Sequence, residues 1–273
     1  MNYKACGYTD IGTTKKTNQD SYLIKIAETS YGNVALIAVA DGMGGLSEGE
    51  LASAVAVREL SSWFDEKIPL GIETMSTSVE GFEQYVEGQW SGLIQDLNLK
   101  ILQYSNMHML KLGTTLTAML STGARYSIVH VGDTRVYEIE NGSVSQLTED
   151  QTYIEREIKA GRLSRAQARR HPKRNVLLQC VGSTKDVRPC VMHGYVKKDS
   201  IYLLCSDGFR HVLSEDELVS WFGIQALENL DWGDEVVESD RELHVQTRIA
   251  EAVDVVKMRK EKDNITAVLL CVE

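Results

Sequence analysis

Short apolar blocks dominate the first forty positions. "YKACGYT", "SYLIKIA" and "NVALIAVA" carry β-branched and apolar residues bounded by Gly, Asn and Asp, so each is predicted as a strand. A polar loop, "DIGTTKKTNQD", separates the first two. The period then changes. In "EGELASAVAVRELSSWF" the apolar residues Leu51, Ala54, Val55, Leu60 and Phe64 recur at helical spacing. A second helix is predicted over 82–109. The stretch 67–81 between them, with one Pro and several Ser and Thr, is predicted as a loop.

Strand patterns return in "GTTLTAMLST", "RYSIVHVG" and "TRVYEIENGSVSQL". Inside the last, Asn141-Gly142 is a strong hairpin signal. A polar, basic, helix-prone segment covers 151–174. "DVRPCVMHGYV" and "SIYLLC" are predicted strands. "SEDELVSWF" is a helix with Ser214 as cap and Glu217 in the capping-box position. "RELHVQTRIAEAVDVVKMRK" is a long helix and "NITAVLLCV" a closing strand. Hairpin-linked strands and grouped helices, without strict β-α-β alternation, predict an α+β sandwich of packed antiparallel sheets covered by helices. No repeat, low-complexity tract or boundary divides the chain, so one domain is expected over 1–273.

Composition narrows the partners. The chain has 273 residues, 43% apolar and 25% charged, with a net charge of −10. That balance argues against general affinity for nucleic acid or anionic membranes. No apolar run reaches the roughly 18–20 residues that span a bilayer. "MNYKACGYTDIG" lacks the apolar core of a signal peptide. The 5 cysteines, Cys6, Cys180, Cys190, Cys205 and Cys271, are scattered and form no C-x-x-C pair, so neither a zinc site nor a disulfide framework is expected. A soluble, cytoplasmic protein with reduced thiols is expected.

The chemistry lies at the strand ends. "NVALIAVADGMGG" runs an apolar strand into Asp41-Gly42. "SIYLLCSDG" does the same at Asp207-Gly208. Asp133 follows "YSIVHVG", Asp263 precedes "NITAVLLCV", and Asp20 closes "NQD" before "SYLIKIA". Strand ends of a sandwich can meet in space, and carboxylates that meet repel unless cations neutralise them. Hard oxygen ligands suit Mg²⁺ or Mn²⁺, and two such ions roughly 3.5–4 Å apart can orient a water for attack on phosphorus. Spacing alone leaves open the other reading, five unrelated turn acids, because Asp-Gly is a common turn dipeptide.

Eight segments in order carry a resemblance: "TDIGTTKKTNQDSYLI", "IAVADGMGG", "LGTTLTAML", "VHVGDTRVYEI", "LTEDQTY", "HPKRNVLLQCVG", "LLCSDGF" and "KDNITAVLL". They span nearly the whole chain, which resembles the metal-dependent protein phosphatases of type 2C, particularly compact bacterial members. The resemblance implies a four-layer α/β/β/α sandwich of two antiparallel β-sheets flanked by helices. It implies a phosphoserine/phosphothreonine phosphatase with two Mn²⁺ or Mg²⁺ ions and a possible third. Asp41 would bridge the two ions, with the Gly42 carbonyl on one. Asp207 and Asp263 would complete the pair of sites, and Asp20 would act through bound water. Asp133 with Asp207 would form the third, weaker site. Phosphorylated proteins, including a serine/threonine kinase or its substrates, are the implied partners, and a monomer is expected.

The chain departs from the family pattern in places. Lys15 stands where relatives carry a phosphate-clamping arginine; Lys16 is the alternative register, and a solvated loop charge is the alternative for both. Met43 stands where members from higher organisms often have histidine, and Gln151 where many bacterial relatives have it. The segment at about 151–182 corresponds to a flap. It holds Arg156, Lys159, Arg162, Arg165, Arg169, Arg170, Lys173 and Arg174, with the acid Glu157 among them. Either it attracts acidic phosphoprotein segments, or it is a solvated face or pairs with "ENLDWGDEVVESDRE". Two further functions stay open: a weak family member that binds phosphoproteins without cleaving them, and a hydrolase of small phosphates on the same scaffold.

Overall fold

The computed structural model describes residues 1–29, 32–44, 48–75, 79–168, 170–228 and 238–273. Two antiparallel sheets face each other. One holds β1 (Tyr3–Asp10), β11 (Ile265–Val272), β10 (Ile201–Cys205), β7 (Arg135–Glu140) and β8 (Ser143–Gln146), in that order. The other runs β2 (Asp20–Thr29), β3 (Gly32–Gly44), β5 (Leu116–Thr122), β6 (Arg125–Val131) and β9 (Cys190–Tyr195), with β4 (Leu112–Thr114) paired to the far end of β3.

The alternation of β3 explains the layering. Val34, Leu36, Ala38 and Ala40 point into a core shared with α1 (Gly49–Met75) and α2 (Val79–His108). Ala35, Ile37 and Val39 point the other way, against Tyr202, Leu204 and Val268 of the facing sheet. A strand buried on both faces reads as a continuous apolar run, as 34–40 does. The outer face of the first sheet packs on α5 (Asp207–Arg210), α6 (Glu215–Phe222), α7 (Ile224–Glu228) and α8 (Glu238–Met258) through Phe209, Phe222 and Val253. The four-layer α/β/β/α sandwich is therefore the observed architecture. Among the described residues no helix is long and apolar enough to cross a membrane.

Two expectations change. The stretch 67–81 is helical to Met75, with Pro69 inside α1. Ile68 and Ile72 flank that proline and are buried with Phe82 and Val86 of α2, so burial outweighs the local breaker. Asp41 and Gly42 lie within a strand rather than a turn, because Gly42 to Gly44 pair with Thr114 to Leu112. The 151–174 segment forms two short helices, α3 (Tyr153–Lys159) and α4 (Arg165–Ala168). The Asn141-Gly142 hairpin and the Ser214–Glu217 capping box form as expected. Arg169 and most of "ENLDWGDEVVESDRE" lie outside the described residues.

Candidate active site

Strand pairing places the first two acids. Asp20 of β2 stands opposite Asp41 of β3. Thr266 of β11 donates its hydroxyl to Asp20 Oδ2 at 2.7 Å, linking the two sheets at one end of the sandwich. Around Asp41 the main chain is held from both sides. Its N–H donates to Thr115 Oγ1 at 2.9 Å, and its carbonyl accepts from Thr115 N at 2.9 Å and Thr114 Oγ1 at 3.0 Å. Gly42 is required there: an added Cβ would stand 2.2 Å from the Gly49 carbonyl oxygen and 2.4 Å from that of Gln19.

Asp207 opens α5 directly after β10, and Asp263 sits just before β11. These strands are neighbours, which brings the two acids together. Burial, reinforced by the charges of Asp20, Asp207, Asp133 and Asp263, pushes the Asp41 carboxyl well above the usual carboxylate range. Burial and the neighbouring Asp207 and Asp263 likewise raise Asp20 to about 7, against hydrogen bonds from Thr266 and Ser206 that lower it. Asp207 is raised by burial too, with His211 opposing. The sequence-identified acids thus form one electrostatically coupled group.

Lys15 joins them. The 11–17 loop is tied down by Asn264, whose Nδ2 donates to Ile11 O at 2.9 Å and Thr17 O at 3.1 Å while its Oδ1 accepts from Gln19 N at 3.0 Å. Lys15 Nζ then meets Asp263 Oδ1 at 2.5 Å. Burial lowers the Lys15 pKa, but the Asp263 hydrogen bond and the charges of Asp263, Asp41 and Asp207 win and raise it. Lys16 is exposed and has no such bond to the acids.

The acids fit a hard divalent cation. Asp207 Oδ1 is buried and has no hydrogen-bond partner, which is costly for a carboxylate oxygen unless a cation takes it. Among the described residues no group of three His, Cys, Asp or Glu forms a ready-made metal cage. Mg²⁺ does not need one, since it keeps several waters and takes one or two carboxylates.

Sequence reasoning missed the basic residues behind these acids. Arg210 Nη2 donates to the Asp133 carbonyl at 3.0 Å and to Asp150 Oδ2 at 3.3 Å. Arg135 grips Asp150 with two bonds of 2.7 Å. His211 lies between Asp207, 3.7 Å away, and Glu261, 3.6 Å away. The signal was present: "SDGFRH" sets two basic residues right after the acid. Gln151 is a structural tie, accepting from Gly132 N at 2.9 Å and Gln179 Nε2 at 2.8 Å.

A groove of about 970 Å³ opens beside the acids. It is lined by Asp133 and Asp263, by Arg165 and Arg174 of the flap, and by Lys260 and Lys262. Within the flap, much of the basic charge is paired locally. Arg162 forks onto Glu157 at 2.6 and 2.8 Å, Arg156 reaches it at 3.4 Å, and Lys159 pairs with Glu149.

The model of the family described as protein phosphatase 2C matches residues 9–244. The chain belongs to the protein phosphatase 2C family. It is 32% identical over 212 residues to the serine/threonine phosphatase stp of Listeria welshimeri, covering 77% of this chain and 79% of that one. The S. agalactiae serine/threonine phosphatase structure superposes with a TM-score of 0.80 at 26% identity, covering 100% of both chains. The catalytic domain of the serine/threonine protein phosphatase PstP, solved with 2 manganese ions, has a TM-score of 0.73 at 25% identity, covering 99% of each chain. The expected enzyme class, a metal-dependent serine/threonine protein phosphatase, accords with this family membership.

Proposed function

We propose that this protein phosphatase 2C member hydrolyses phosphoserine and phosphothreonine in proteins, by direct attack of water at a centre of two Mn²⁺ or Mg²⁺ ions. The observation that carries the proposal is the convergence of Asp20, Asp41, Asp207 and Asp263, with burial and neighbouring charge raising the first three. Asp41 would hold both ions, with the Gly42 carbonyl on one of them. Asp207 and Asp263 would complete the pair of sites, and Asp20 would act through bound water. When bound, the ions supply an activated water and neutralise the phosphate.

The remaining work falls to the chain itself. The clamped β3 backbone fixes where Asp41 points, and a rigid strand does this better than a loop. Lys15, on its Asn264-stapled loop, turns from Asp263 toward the phosphate and binds it by a charge-assisted hydrogen bond. The groove between the flap and Lys260–Lys262 takes the peptide flanking the phosphorylated residue. No thiol participates: burial pushes the Cys205 thiol, close to the site, up to about 12, where it is not a nucleophile.

A phosphothreonine peptide assayed with Mn²⁺, with and without EDTA, tests the proposal. Turnover that EDTA abolishes and Mn²⁺ restores is expected. Binding without turnover would point to a phosphoprotein-binding module. Turnover of free nucleotides alone would point to a small-phosphate hydrolase.

A further inference from the structure

Asp133 is the acid that the resemblance assigns, with Asp207, to a third metal ion. In this chain a guanidinium already stands beside it. Arg210 is three residues beyond Asp207, on α5. Its Nη2 lies 3.7 Å from Asp133 Oδ2 and donates to the Asp133 carbonyl at 3.0 Å. The same nitrogen is 3.3 Å from Asp150 Oδ2. Asp150 cannot follow a departing arginine, because Arg135 holds both its oxygens.

We propose that Arg210 is a built-in cation that takes the place of a third metal ion at Asp133, so that the centre is complete with two. The inference rests on the two-metal reading above. Its physical basis is charge and confinement. A guanidinium stays charged at every accessible pH, so it opposes a divalent ion at the same carboxylate under all working conditions. The side chains of Arg210, Asp133 and Asp150 are only 10%, 12% and 10% exposed, so water screens them little.

Lys15 on Asp263 is a different case. That pair is 38% and 34% exposed and sits on a loop, and the ammonium ends a flexible stem that can swing to a phosphate. Arg210 springs from a helical turn whose Phe209 is fully buried in the core, and its head group is tied to a backbone carbonyl. The Asp133 carbonyl and Asp150 together hold it in place. His211 adds to the same side of the site, between Asp207 and Glu261.

Counting bound Mn²⁺ tests this without reference to activity. Free Mn²⁺ is followed by electron paramagnetic resonance during titration of the whole chain. The proteins are wild type, Arg210→Gln, Asp133→Asn and the double variant, each checked for fold by circular dichroism. Arg210→Gln should gain one site per chain, at least about tenfold tighter than any binding at Asp133 in wild type. The double variant should lose that site again, and Asp133→Asn alone should bind as many ions as wild type. An Arg210→Gln count equal to wild type overturns the proposal, as does loss of one ion in Asp133→Asn. Should Arg210→Gln fail to fold, the comparison of wild type with Asp133→Asn decides. A wild-type count below two would instead defeat the two-metal reading, while the difference between the variants still judges Arg210.

Discussion

At the scale of single residues, charge arrangement separates the two lysines of the N-terminal loop. Lys15 reaches Asp263 and feels Asp41 and Asp207; Lys16 faces solvent. A charge-assisted hydrogen bond to phosphate is worth about 1.5–3 kcal/mol, and each 1.4 kcal/mol is roughly tenfold in rate. Lys15→Ala should therefore lower kcat/KM on a phosphopeptide by roughly ten- to a hundred-fold. Its apparent Mn²⁺ affinity should hold or rise, since the ammonium no longer competes for Asp263 Oδ1. Lys15→Arg should keep or raise activity through its two-pronged fit, and Lys16→Ala should be silent. A crippled Lys16→Ala beside an active Lys15→Ala would exchange their roles. At Asp41 the expectation is sharper. If Asp41 bridges the ions as proposed, Asp41→Asn keeps the shape but not that charge, so turnover should vanish while the fold survives; more than a few percent of wild-type activity would refute the role.

At the scale of elements, what could be seen in advance was what local chemistry dictates. The run 34–40 announced a buried strand, Asn141-Gly142 a tight hairpin, and Ser214 with Glu217 a capped helix. The acids were legible because each closes or opens an apolar strand. Pro69 misled because its helix is held by burial of Ile68 and Ile72 against α2, a contact no local window contains. Arg210 and His211 stayed hidden for the same reason, since their partners Asp133, Asp150 and Glu261 are far away in sequence. The flap was read as one basic block, but Glu149, Glu155 and Glu157 answer several of its charges. Arg165, exposed and only loosely paired with Glu155 at 4.0 Å, and the exposed Arg174 line the groove. Reversing both to glutamate should weaken turnover of acidic phosphopeptides more than that of a small aryl phosphate. The gap should close as salt rises, because exposed charges are screened. Equal losses on both substrates, insensitive to salt, would make the segment structural.

At the scale of the whole molecule, a chain of net charge −10 gathers buried acids at one end of its sandwich, and this ties stability to metal and to pH. Without metal, burial first and then neighbouring charge raise Asp20 and Asp133 to about 7, and raise Asp41 and Asp207 as well. In the unfolded chain the same groups titrate near the ordinary aspartate value. Between the two ranges the folded state holds more protons than the unfolded one, so stability must fall as pH rises. The contribution is fully present below the unfolded pKa and is lost as pH climbs through the folded values. In EDTA the melting temperature should therefore drop from about pH 5 to about pH 8, and Mn²⁺ should restore most of the loss at the alkaline end. At the acid end Mn²⁺ should do less, because protons already neutralise the carboxylates it would bind. Asp41→Asn removes one of the strained charges and should flatten the EDTA profile, even as it ends catalysis. Differential scanning fluorimetry of wild type and Asp41→Asn across that range, with EDTA and with Mn²⁺, reads all four. Parallel curves with and without the ion would mean that the acids are not a shared cation site, whatever their part in turnover.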